Sequence, residues 1–200
     1  KLTYLLTIIL GLLSACNSKN TSTSRLLPEP DIIERLKYEK NEIDTLFKNG
    51  KGECLTFIKL TETGHSFLLE TDTIPETAIT TYYILKNSLG KVITISELPT
   101  SESGDWFIVL THYFDKDGKT FAFERQINFF NSGCTEGIAY ETKTEFYNSD
   151  FKVIDKTYKL VDEKNKALKK DSCTFPYDFE PSVYANIDKY LKINKIKTSR

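Results

Sequence analysis

The sequence predicts an α+β fold: an N-terminal amphipathic helix, an antiparallel β-meander of about eight strands and a short C-terminal helix. Three observations predict it. Apolar residues recur at three- and four-residue spacing across 31–49. Eight runs with strand-like patterning follow, with no helical stretch between them. A helical spacing then returns after Pro181. Hydrophobic residues make up 40% and charged residues 28% of the 200 positions, a composition that supports a folded body with one core. The formal net charge of −1 supplies no global field for a polyanion, so nucleic acid is excluded as an expected partner.

The first helix is read from Ile32, Ile33, Leu36, Ile43, Leu46 and Phe47, a stripe with charges between its members. Asp31 is its expected cap at the start and Gly50 its stop. Strands are expected at 54–60, 66–71, 79–86, 91–97, 106–114, 120–129, 138–147 and 152–160, each bounded by Gly, Asn, Asp or Pro. In the sixth run, Phe121, Phe123, Ile127 and Phe129 alternate with Ala122, Glu124, Gln126 and Asn128, which predicts one dry face. In the fifth, Trp106, Ile108, Leu110 and Phe114 share a face, while Phe107, Val109 and Tyr113 make the opposite face apolar too. Both faces of that strand therefore need cover, from a curled sheet, a helix or a ligand. The last helix is expected over 181–192, with Pro181 in its first turn and Val183, Tyr184, Ile187, Tyr190 and Leu191 facing inward. Beyond Asp188 stand Lys189, Lys192, Lys195, Lys197 and Arg200 with no acid, read as a solvated, fraying helix end.

One pattern recurs three times. Tyr82-Tyr83 leads to Gly90-Lys91-Val92-Ile93, Tyr113-Phe114 to Gly118-Lys119-Thr120-Phe121, and Phe146-Tyr147 to Phe151-Lys152-Val153-Ile154. Each is an aromatic strand, a polar turn and a return strand. The units resemble the aromatic-turn-Gly-Lys units of bacterial β-hairpin repeat families, and ordinary amphipathic hairpin chemistry produces the same look.

Upstream of this body, residues 2–13 are apolar except Thr3, Tyr4, Thr7 and Gly11, and the run ends in Leu13-Ser14-Ala15-Cys16. That ending resembles the lipobox of bacterial lipoproteins: a branched apolar residue, two small ones that let a peptidase reach the backbone, then a nucleophilic thiol. The resemblance implies a signal peptide over 1–15 and a lipidated Cys16 as the mature first residue. Two or three acyl chains, at about 0.8 kcal/mol per buried methylene, would hold the protein on a membrane. Residues 16–30, rich in Ser, Thr and Asn, read as a flexible tether, and 31–200 as a single α+β domain. Asn17 stands where Asp would mark inner-membrane retention in the lipoproteins this leader resembles, so the implied location is the outer membrane, facing the periplasm.

Such an envelope compartment is oxidising. Cys134 and Cys173 both lie in connections after strands and form the favoured disulfide pair, which leaves Cys54 as an expected buried free thiol. Catalytic signatures are weak. Positions 113–124 match a calcium loop at Asp115, Asp117, Gly118 and Glu124, but Tyr113 occupies the first ligand position and neither flank is an amphipathic helix, so a hairpin turn explains the residues without metal. Ser88 and Lys91 have S-x-x-K spacing inside an expected turn, without the partner motifs. His112 falls on an apolar strand face and is read as a hydrogen-bonded histidine beside the core, whereas His65 sits in an exposed turn. Neither catalytic residue, metal nor cofactor is assigned. The expectation is a non-catalytic envelope lipoprotein that binds an apolar or peptide-like ligand, or docks another envelope protein, with Trp106, His112 and Tyr113 as ligand-facing candidates. The alternative is an envelope enzyme of unrecognised type.

Overall fold

The computed structural model describes residues 31–71, 73–175 and 181–198. The expected leader, Cys16 and the tether lie outside the described residues. The body is an α+β arrangement: helix α1 (Ile32–Lys48), strands β1 (Glu53–Lys59), β2 (Ser66–Leu68), β3 (Thr80–Lys86), β4 (Val92–Pro99), β5 (Trp106–Phe114), β6 (Thr120–Phe129), β7 (Ala139–Tyr147) and β8 (Val153–Asp162), and helix α2 (Ile187–Ile193). All eight strands form one antiparallel sheet in the order β2-β1-β3-β4-β5-β6-β7-β8. From β3 onward this is the expected meander. β1 departs from it by pairing on both sides, so the chain leaves β2 after Leu68, short of the expected 66–71, to reach the far side of β1.

Three hairpins, β3–β4, β5–β6 and β7–β8, turn at the same rim of the sheet in one geometry. Asn87, Asp115 and Asn148 each accept two backbone N–H bonds on Oδ1, from the second and fourth residues onward. The fourth residue of each turn, Gly90, Gly118 or Phe151, has positive φ. Asp162 builds the same turn at the end of β8, with Asn165 at the positive-φ position. The aromatic-turn-Lys echo is therefore one structural unit. Asp115, part of the calcium-loop match, spends its carboxylate on Asp117 and Lys119 within the turn.

After each rim hairpin, one strand carries one residue more than its partner. The cross-strand register skips Ile93, Phe121 and Ile154. Such a bulge points two successive side chains to the same face. It corrects the expectation for β6: Phe121 does not join Phe123, Ile127 and Phe129 but turns with Ala122 to the opposite face, where it packs with Tyr113, Phe146 and α1. Ile93 and Ile154 pack against that same cluster. The three bulges thus seat α1, which buries Leu36 and Ile43 there. Asp31 caps α1 by accepting the Ile33 N–H, as a helix start requires.

The other face, the dry face for its apolar clusters, also carries Arg125, Glu141, Lys143 and Glu145 over β6 and β7, in register with Leu110, Ile127 and Phe123. Phe57, Tyr82, Ile84, Ile95 and Phe114 form one cluster with Tyr190 of α2, while Ile108, Leu110, Phe123, Ile127 and Phe129 continue it towards β7 and β8. The C-terminal chain covers this face. α2 starts at Ile187, not near Pro181, because the residues before it are held by β6: Thr120 donates from Oγ1 to the Tyr184 carbonyl and from its backbone N–H to that of Ala185. Asn186 then caps the helix by accepting the Lys189 N–H. The tail is not a fraying end up to residue 196. Ser66 donates to the carbonyls of Asn194 and Lys195, Ile196 is buried, and Lys195 bonds the Thr63 carbonyl.

Candidate functional site

The three residues expected to face a ligand do not converge. Trp106 and His112 lie on the dry face, Trp106 half-buried against the cluster of Ile108 and Phe129. Tyr113 lies on the opposite face, under α1, where, alone of the three, it lines the pocket described below. His112 is sealed: 1% exposed, its ring lies against Phe114, Phe123, Tyr184 and Tyr190. Its Nε2 accepts the Tyr184 N–H at 3.1 Å, which makes the ring a neutral acceptor and puts the imidazole proton on Nδ1, with no hydrogen-bond partner among the described residues. Burial drives its pKa down to about 3. A histidine so placed is neutral at any physiological pH and has no path to a substrate. Nearby, the fully buried Tyr190 donates to Glu97 at 2.9 Å, and burial lifts the Glu97 carboxyl above its ordinary range.

Cys134 and Cys173 are bonded, which ties the β6–β7 connection to the C-terminal chain on the dry face. Cys54 is free but exposed, which corrects the buried position expected for it. β2 pairs only with Phe57, Ile58 and Lys59, so the Cys54 end of β1 is an uncovered sheet edge. Among the described residues, no group of three or more His, Cys, Asp or Glu is arranged to hold a metal ion.

A concave site lies on the helix face, in the half of the sheet that α1 leaves uncovered. It is a pocket of about 620 Å³, within the roughly 300–1,000 Å³ typical of small-molecule sites. Phe47 and Ile43 of α1 form one wall, and Leu98, Phe107 and Val109 line the sheet side. Phe47 and Phe107 are 52% and 50% exposed, large apolar surfaces left in water. The polar floor is drawn from adjacent strands, with Tyr83, Ser96, Thr111 and Glu124 directly opposite one another in register across β3 to β6. Ser96 and Thr111 share a hydroxyl–hydroxyl bond of 3.0 Å.

At the inner end of this pocket stands a charged cluster that also fastens α1. Lys40 Nζ lies 2.8 Å from Asp44 and 2.8 Å from Glu124, and 4.6 Å from the centre of the Tyr113 ring. Tyr113 donates its hydroxyl to Asp44 at 2.7 Å. Burial first, and then the carboxylates of Glu124 and Asp44, hold the Tyr113 phenol well above its ordinary pKa, so it stays a donor. Glu124 also accepts from Gln126 at 2.7 Å and from Thr144 at 2.9 Å. A buried carboxylate with three donors is satisfied, as burial requires.

Of these residues, the sequence singled out Glu124 only through the calcium-loop match, and it missed Asp44, Ser96, Thr111 and Gln126. The signal that was present lay in β5, whose second apolar face asked for cover. Comparison with known proteins finds no matching family model, no matching curated protein and no matching solved structure. The chemistry of the pocket is therefore carried by its own residues.

Proposed function

We propose that this protein is a non-catalytic, lipid-anchored envelope module that binds a small amphipathic ligand in the pocket between α1 and the sheet. The observation that carries the binding reading is the half-open helix face, where exposed aromatic rings meet a polar floor in a space of ligand size. Phe47 and Phe107 border one cavity, which gathers their exposed apolar surface in one place. His112 takes no part, because it is sealed on the other side of the sheet.

Native mass spectrometry of the protein released from its own envelope tests this. A retained small molecule, lost in Phe107→Lys, is the expected result, and an unliganded mass in every preparation argues against the reading. The anchor is supported by the Leu13-Ser14-Ala15-Cys16 pattern, and the implied site is the outer membrane on its periplasmic side. Labelled palmitate should enter the chain in a bacterial host and be lost with Cys16→Ala. Equal labelling of the variant removes the anchor without touching the pocket.

A further inference from the structure

The pocket's charge identifies the kind of ligand it takes, an inference that rests on the binding reading above. Two carboxylates, Asp44 and Glu124, line it, and no lysine, arginine or histidine does. Lys40, which is not part of the lining, is bonded to both carboxylates at once. One positive charge thus faces two negative ones, and the lining keeps an excess of about one negative charge. The side chain of Glu124 is only 8% exposed, so its charge is poorly screened, whereas that of Asp44 is 45% exposed and reachable from the pocket. Four aromatic rings, Phe47, Tyr83, Phe107 and Tyr113, border the same space; Tyr113 already faces Lys40, and the other three leave ring faces that attract cations. Leu98, Val109 and Ile43 supply apolar surface for the rest of a ligand.

We propose that the pocket selects an amphipathic organic cation: an aromatic or aliphatic body carrying one positively charged nitrogen, which lies against Asp44 and the aromatic rings. An anionic amphiphile of the same shape meets repulsion from both carboxylates, and a neutral one gains only the apolar contacts.

The test uses the whole soluble domain and three probes of nearly one shape: 4-phenylbutylamine, 4-phenylbutan-1-ol and 4-phenylbutanoate. Affinities are measured at low salt by titration calorimetry, with aromatic NMR signals of Phe107 and Tyr83 reporting the place of binding. The amine should bind about tenfold tighter than the alcohol, with the carboxylate weakest, and raising the salt to 0.5 M should shrink the amine's advantage. Asp44→Asn should bring the amine-to-alcohol ratio below about threefold. A wild-type ratio already below threefold, or tightest binding by the carboxylate, overturns the cation preference while leaving the pocket reading intact, provided the Phe107 and Tyr83 signals move. A ratio unchanged by Asp44→Asn also overturns it, because the selectivity then has another source. Failure of all three probes to bind removes the pocket reading and the cation preference together.

Discussion

The two faces of the sheet share every strand and are closed by different means. The dry face is sealed mainly by apolar and aromatic contact, with a buried charged group of Arg125, Glu141 and Lys143 at its β6–β7 end: Tyr190 meets Tyr82 edge-on, His112 is ringed by aromatic side chains, and a disulfide fastens the covering chain. The helix face is closed only along the bulged rim, where α1 buries two residues and is otherwise held by Lys37 on Asp155 and by Lys40, Asp44, Tyr113 and Glu124. Its other half stays open. On the binding reading proposed above, stability and recognition are divided between the faces, with the mainly apolar closure holding the fold and the polar closure bordering the pocket.

That division is sharpest in substitutions that should hurt one face far more than the other. Tyr190→Ala removes a fully buried aromatic side chain from the dry face and should cost about 3–5 kcal/mol in a denaturant titration. Opening the Cys134–Cys173 bond, across a separation of 39 residues, should cost about 4 kcal/mol by chain-entropy reasoning. Thiol titration should show two more reactive groups after reduction than before it, Cys54 being the one exposed free thiol among the described residues. On the helix face, Lys40→Met leaves Glu124 buried beside Asp44 without its cation. Its cost should be smaller, on the order of 2–3 kcal/mol, because Asp44 is partly in water. If Lys40→Met proves as damaging as Tyr190→Ala, the contrast between the faces fails.

Acid separates the faces as well. The folded His112 value of about 3 lies below the ordinary 6.5, so as pH falls below 6.5 the unfolded chain takes up a proton that the folded chain refuses. Stability is full above 6.5 and declines towards pH 3, at up to about 1.4 kcal/mol per pH unit. Glu97, raised by burial, acts in the opposite sense at the acid end. The difference between wild type and His112→Gln across pH 6.5 to 4.5 isolates the histidine, and parallel curves would deny it this role. The smallest effect is expected at Phe107→Lys, half exposed on the open half of the helix face, which should change stability by no more than about 0.5 kcal/mol while abolishing ligand binding.

Much of the fold was legible because it is written in period. Alternation in β5 and β6 and the stripe of α1 follow from local geometry, and the α+β class follows from their order. Residues governed by longer-range pairing were not legible. Phe121 changed face because the β5–β6 hairpin holds one residue more on one strand, which strict alternation does not encode. Val183 and Tyr184 fit a helical spacing, yet Thr120 claims the carbonyls that a helix there would need. Cys54 looked like a core thiol because its strand is apolar, while its exposure depends on how far β2 extends. Ser96, Thr111 and Gln126 carry no sequence signal at all. They become a pocket floor only when four strands come into register beside α1.

On the proposed reading, recognition belongs to the open half of the helix face. Mapping amide and aromatic NMR shifts as 4-phenylbutylamine is added tests it most directly. Shifts should be confined to Phe47, Tyr83, Ser96, Phe107, Thr111 and Gln126, with His112 and Tyr190 unmoved. Shifts centred on the dry face, or scattered evenly over both, would contradict it.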